Sequence, residues 1–205
     1  MNSKVNRNEF TPPEEALDPC RWWNASRLQP SQAEKDTLSR LHGLSSTAGI
    51  DRLLSTGALS FREIHGEPCW VVGEQPNTWL NTQDAALAYR ADGQRWPGGG
   101  LALQHPQVAN SVLAGQEQLR DSAKPTSVLL AFGLRGALRL ATHHAGSEPF
   151  PVILVAATAT PSIPDALESG DHLTIHAPKG REGDVAAAFG GFPCEAALVE
   201  GGIAA

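Results

Sequence analysis

The sequence predicts an α/β protein whose C-terminal half is a four-stranded parallel sheet flanked by helices, with a smaller α+β region ahead of it. Two observations carry that prediction. Two apolar runs of strand length, at 127–132 and 151–156, and two further strands, at 172–177 and 194–199, are separated by helical segments. Strands that are apolar throughout belong to parallel sheets covered on both faces. In the first half, short strands are punctuated by Gly-containing turns, the pattern of hairpins.

The elements follow in order. Residues 1–30 hold Pro12, Pro13, Pro19 and Pro30 among polar residues and read as a mostly irregular arm. Trp22 and Trp23 within it are too apolar to float freely, so they are expected to pin the arm to the body, with a partner as the alternative anchor. Region 31–103 is the small α+β part. Ser31-Gln32-Ala33-Glu34 is a capping box that opens a helix reaching about His42, stopped by Gly43. A second short helix over 47–55 ends at Gly57. Leu59, Phe61 and Ile64 lead through a turn at His65-Gly66-Glu67 into a strand at 69–72, a hairpin. A further strand, 85–91, reaches the turn Asp92-Gly93 and restarts at Gln94-Arg95-Trp96. Region 104–205 begins with a polar link, 104–125, containing one more helix. After the strand at 127–132, Leu134, Ala137, Leu138 and Ala141 fall at helical spacing. Short helices over 163–168 and 182–189 complete the alternation.

Composition narrows the function. The chain has 205 residues, 41% hydrophobic and 19% charged, the balance of an ordinary folded protein. A net charge of −6 speaks against wrapping duplex DNA as its main task. No apolar run of membrane-spanning length is present, and the N-terminus has no apolar stretch of the secretory kind. Cys20, Cys69 and Cys194 are scattered and form no Cys-x-x-Cys pair, which points to reduced thiols in a cytoplasmic protein. Gly98, Gly99 and Gly100 are not followed by the Gly-Lys-Ser/Thr of a phosphate loop. His143 and His144 close a helix, where imidazolium complements the helix dipole. As chain neighbours they are expected to point to different sides. A cluster with His172 and His176 is the alternative to four structural histidines.

The strand–helix alternation over 128–199 is similar to a Toprim domain. Upstream, Leu41-His42-Gly43-Leu44, Leu53-Leu54-Ser55-Thr56-Gly57-Ala58-Leu59 and Gly66-Glu67-Pro68-Cys69-Trp70-Val71-Val72 resemble the segment preceding Toprim in phage- and plasmid-type primases. So does the stretch from Ala86 to Trp96, which brings Arg90 and the Asp92-Gly93 turn. The resemblance implies a glutamate at the end of the first Toprim strand and an Asp-x-Asp after the third. Phe132 stands at the glutamate position, and Pro178 and Gly180 stand at the aspartates. Magnesium needs carboxylate oxygens, which these side chains lack. The resemblance therefore implies a degenerate frame, with no catalytic residue, metal or cofactor expected.

In open parallel sheets ligands sit beyond the carboxyl ends of the strands. That edge should carry Arg135, Lys179 and Arg181, cations able to grip a phosphate directly, aided by free N–H groups of the helix entered at Glu182. The alternative is that they are solvated surface charges. Arg90, with Arg95 and Trp96, offers charge and stacking to a single strand. The expected function is a nucleic-acid-binding or accessory subunit in a DNA replication or mobile-element complex. Its expected partners are single-stranded nucleic acid and a protein of that complex, with no membrane. The chain has no ligand set for the zinc-binding domain that often precedes such Toprim regions and no helicase segment, so a stripped-down core is expected. Two alternatives stay open. One is a protein-interaction module or inhibitor encoded by a mobile element. The other is a divergent metal-dependent nucleotidyltransferase or nuclease using Asp165, Glu168, Asp171, Glu182 and Asp184.

Overall fold

The computed structural model describes residues 18–73, 85–96, 100–103, 112–121, 127–157, 167, 171–177, 179–180, 182–183 and 195–199. Within them the protein is mixed α/β, with helices and two separate sheets. No helix among these residues is long and apolar enough to cross a membrane.

The described part of the arm is less irregular than its prolines suggest. Helix α1, Pro19–Asn24, starts where the Asp18 carboxylate accepts from the N–H groups of Cys20 and Arg21, with Pro19 in the first turn. Proline is at home there because its missing N–H would have no helical partner. Trp22 and Trp23 are both buried, so the arm is anchored on the chain's own body. Past α1 the backbone runs alongside the first sheet. Leu28 N–H donates to Phe61 O and Glu63 N–H donates to Ser26 O.

Helix α2, Gln32–His42, carries the capping box as read, and Gly43 ends it in the left-handed conformation at φ 65°. Helix α3, Ala48–Ser55, follows. Strands β1 (Leu59–Ile64), β2 (Glu67–Val72), β3 (Ala85–Arg90) and β4 (Leu101–Leu103) form the first sheet, antiparallel and in chain order. His65 and Gly66, at φ 52° and 80°, make the two-residue turn between β1 and β2. Positive φ at both positions matches the twist of the flanking strands. The expected strand restart at 94–96 is corrected. Arg95 makes a single bridge to Tyr89, Trp96 turns inward, and β3 pairs instead with β4. The tight turn at Asp92 and Gly93 brings the chain back, but Trp96 N–H and Gly100 O spend their bonds on Ala88, so no continuous ladder forms.

Side chains of this sheet alternate between two cores, as the pleat requires. Phe61, Trp70, Val72, Leu87 and Tyr89 face the body, while Cys69, Val71, Ala86 and Ala88 face Trp22, Trp23 and Trp96. Trp22 and Trp96 meet edge to face at 6.4 Å between ring centroids.

The second sheet contains β5 (Val112–Ala114), β6 (Ser127–Phe132), β7 (Val152–Ala156), β8 (His172–His176) and β9 (Glu195–Val199), in the order β5-β7-β6-β8-β9. The pairs β6–β7, β6–β8 and β8–β9 are parallel, whereas β5 joins β7 antiparallel. The expectation of four parallel strands is thus corrected to a five-stranded mixed sheet. Its added strand comes from the stretch read as a polar link, because Val112 and Ala114 find the outer edge of β7. Helix α4, Gln116–Asp121, lies in the same stretch. Helix α5, Gly133–His143, follows β6 directly. The helix expected over 163–168 lies outside the described residues except for Leu167. Of the helix expected over 182–189, Glu182 and Gly183 are described and helical.

One buried cluster crosses position 103/104. Leu38, Ile50 and Leu87 share it with Leu113, Leu129, Leu138 and Val155. Helices α3 and α5 pack closely beside it, with Gly49 against the backbone of Thr142. Arg52 reinforces this contact from its rim. Its guanidinium bonds Glu148 at 2.6 Å and Ala145 O at 3.1 Å, and lies 5.3 Å from the Phe150 ring centroid. The opposite face of the second sheet buries Val128, Leu130, Leu154, Leu173 and Ile175 with Leu119 and Leu167.

Candidate functional site

The carboxyl edge of the parallel strands is built with almost no loop at β6. Phe132 ends the strand, Gly133 turns the backbone at φ 68°, and α5 begins there. A left-handed residue at this junction favours glycine, which has no Cβ to clash. Phe132 is half-buried and packs on the cluster of Val128 and Leu130. The Phe132 side chain is therefore engaged with the core and brings no oxygen to this edge. Tyr89 of β3 reaches the same junction. Its hydroxyl accepts the Leu134 N–H at 3.4 Å, taking up one of the donors that a helix start leaves free. Sequence reasoning missed Tyr89, since only the meeting of the two sheets gives it a role.

The neighbouring strand β8 ends at His176, followed by the buried Ala177 and the exposed Lys179 and Gly180. Since β8 lies beside β6 in parallel register, Lys179 and Arg135 belong to the same edge of the sheet. Arg135 is exposed in the first turn of α5, and neither cation enters an ion pair among the described residues. Arg181 and Pro178 lie outside the described residues. Arg90 is not brought to this edge. It alternates with Tyr89 on β3, so it leaves the opposite face of the first sheet, where its guanidinium stands 3.6 Å from Glu67. Arg95 and Trp96 divide similarly, because Trp96 is buried against Trp22 and offers no stacking face to a strand.

The acids available to an enzymatic reading are placed less favourably. Asp171 is buried and precedes β8, so it sits at the amino edge, opposite Phe132. Glu182 is half-buried and already has an interaction partner. Asp165, Glu168 and Asp184 lie outside the described residues. Among the described residues no group of three or more His, Cys, Asp or Glu side chains could hold a metal ion. Cys69 is no nucleophile: burial, aided by the Glu67 charge, pushes its thiol up to about 12.

A second positive surface runs along α5. Arg135, Arg139 and His143 follow at intervals of four, on one flank of the helix. His42, the last residue of α2, stands one turn beyond Leu38, which shares a core with Leu134 and Leu138 of α5. Burial pushes the His42 imidazole below its ordinary pKa, and the charges of Arg135 and Arg139 push it further. His42 Nε2 and Arg139 Nε are buried without a hydrogen-bond partner among the described residues. At the other end of α5 the rings of His143 and His144 stand 4.8 Å apart, edge to face. The expectation that they point to different sides is corrected here, because His144 is the cap residue and has left helical geometry. Burial lowers His176 as well, assisted by charge on His144 and His143, so these three histidines lie within electrostatic reach of one another. His172 is exposed at the far end of β8.

Comparison with protein-family models, with curated proteins and with solved structures finds no match for the chain.

Proposed function

We propose that the protein is a primase-like Toprim protein with a degenerate metal site, a cytoplasmic subunit that binds single-stranded nucleic acid without cleaving or extending it. The observation that carries this reading is the carboxyl edge of β6 and β8, where half-buried Phe132 packs against the core and two cations, Arg135 and Lys179, stand without an ion-pair partner among the described residues. Direct charge-assisted contacts from Arg and Lys to phosphate do there what a bridging magnesium ion does in a catalytic Toprim domain. Tyr89 supports the reading by joining the first sheet to the start of α5, so that the edge is built on both regions that resemble the primase segment. The replication or mobile-element context, and a protein partner within it, come from that resemblance alone.

The test is a titration of a fluorescent single-stranded oligonucleotide, read by anisotropy, over a series of salt concentrations. Affinity should fall steeply as salt rises, since phosphate contacts release counterions. Lys179→Ala should weaken binding and reduce the salt slope by about one unit. No binding at low salt would remove the nucleic-acid reading and leave a protein partner as the target of the surface.

A further inference from the structure

We propose that Arg27 and Arg62, facing each other across the join between the arm and β1, form a binding site for a terminal phosphate group. The site lies on the first sheet, and it holds whether or not the strand edge of the second sheet binds a nucleic acid. Backbone bonds fix the pairing. Leu28 N–H donates to Phe61 O at 2.9 Å and Glu63 N–H donates to Ser26 O at 3.0 Å, and Arg27 and Arg62 are the two residues bridged between those bonds. That makes them a non-hydrogen-bonded antiparallel pair, the kind whose side chains stand closest, with Cα atoms about 4.5 Å apart and both side chains on one face. Arg62 is held in place. Its Nε donates to Ser60 Oγ at 3.2 Å, its Nη1 donates to Ala25 O at 3.1 Å, and its guanidinium carbon stands 4.7 Å from the centroid of the Trp23 ring. Its Nη2 has no partner among the described residues and is not one of the enclosed nitrogens. Arg27 is exposed and makes no side-chain hydrogen bond or ion pair among the described residues.

Like charges directly opposite on paired strands repel and weaken the pairing. The acids nearest in the chain give no relief. Asp18 is engaged by the N–H groups of α1 and by Arg21, and Glu63, the next residue of β1, leaves the other face of the strand. Burial and the Arg27 charge together hold the Arg62 guanidinium below its ordinary pKa, in keeping with the pairing that the backbone bonds set. An anion seated between the two groups turns this repulsion into attraction. Guanidinium forks match phosphate oxygens with paired N–H bonds. Two such forks suit a terminal phosphate, which carries a charge of about −1.5 to −2 at neutral pH, better than the single charge of a phosphodiester. Its source is either a small phosphorylated molecule such as a nucleotide, or the 5′-phosphate end of a nucleic-acid strand. Neither requires an enclosing pocket, because Arg62 supplies a fixed fork and exposed Arg27 a second one able to close over the bound group.

The experiment follows the Nε–H resonance of Arg62 by heteronuclear NMR while the intact protein is titrated in three separate arms. The probes are inorganic pyrophosphate, a short single-stranded oligonucleotide bearing a 5′-phosphate, and the same oligonucleotide ending in a 5′-hydroxyl. Pyrophosphate, the 5′-phosphorylated strand or both should shift the resonance, and the 5′-hydroxyl strand should do so only at clearly higher concentration. Arg27→Gln should weaken the binding roughly tenfold, as loss of a charge-assisted bond does. It should also leave the urea midpoint of the free protein unchanged or raised, because a repulsion goes with the charge; a merely structural role for Arg27 would lower that midpoint. Arg27→Lys keeps the charge without the fork and should fall between the parent and Arg27→Gln. A response to pyrophosphate alone assigns the site to a small phosphorylated ligand, a response to the 5′-phosphorylated strand alone assigns it to a strand end, and a response to both assigns it to terminal phosphates of either source. An Arg62 resonance that no probe moves overturns the site, and oligonucleotide binding of that kind would leave the strand edge as a separate surface. A shift that Arg27→Gln leaves unaltered overturns it too, as does equal affinity for the two oligonucleotides.

Discussion

Replacing Gly49 by alanine tests whether the α3 and α5 regions form one packed body. In the interior of an isolated helix this change is favourable by about 1 kcal/mol, because glycine is a poor helix former. Here a Cβ at position 49 would lie 2.7 Å from Thr142 Cα, and closer still to Thr142 N and Oγ1. Two of these are backbone atoms, so no rotamer change can relieve the clash. The Thr142 hydroxyl is further committed to Leu138 O at 2.8 Å. Helix α5 must move outward, loosening Leu138 and Ala141 against Ile50 and Leu53. Overpacking of this kind costs about 1–3 kcal/mol, and backbone contact favours the upper part of that range. Set against the propensity gain, the net loss is about 1–2 kcal/mol, or about 2–8 °C in melting temperature for a chain of this size. Urea denaturation followed by circular dichroism and by tryptophan fluorescence measures it. A variant equal to or more stable than the parent would refute the packing of α3 on α5. Transitions that separate between the two probes would refute a single cooperative core.

Two further outcomes follow from the same packing and electrostatics. Trp22→Ala should destabilise the protein by about 3–5 kcal/mol in urea titrations, as loss of a buried tryptophan does; a change within experimental error would mean that α1 does not belong to the folded core. The protein should also lose stability on mild acidification. His42, His144 and His176 all have folded-state pKa values below the ordinary 6.5, so the unfolded chain takes up protons first as pH falls past that value. Stability should therefore decline below about pH 6.5 and level off once the folded histidines protonate. Urea midpoints measured between pH 7.5 and 5 should show this, and His42→Gln should make the decline shallower; an unchanged slope would contradict the burial of that ring.

Much of this architecture was legible in the residues, and the exceptions have physical causes. The strands β6 and β7 announce themselves because both faces are covered, which forces nearly every side chain to be apolar. The capping box of α2 is legible because its bonds are local. Strands β4 and β5 are not, since three residues carry too little pattern and their extended state comes from partners distant in sequence. Asp18-Pro19 was a helix-start signal that the surrounding prolines obscured. At the candidate site, Arg135 and Lys179 could be assigned to the strand edge from chain order alone. Arg90 could not be excluded that way, because which face of β3 it leaves depends on register. The influence of Arg135 and Arg139 on His42 was invisible for the same kind of reason, since 97 positions separate His42 from Arg139.

The bonds from Ser26 and Leu28 to β1 have a consequence for solubility. A bare outer strand is a template on which a second molecule can add its own strand, the first step toward uncontrolled self-association. Here the chain fills that position with its own backbone, held down by the two tryptophans just before it. Clipping the chain between Asn24 and Arg27 would thus do more than shorten the protein: it would loosen the guard of the sheet and leave a sticky border free to recruit copies of itself.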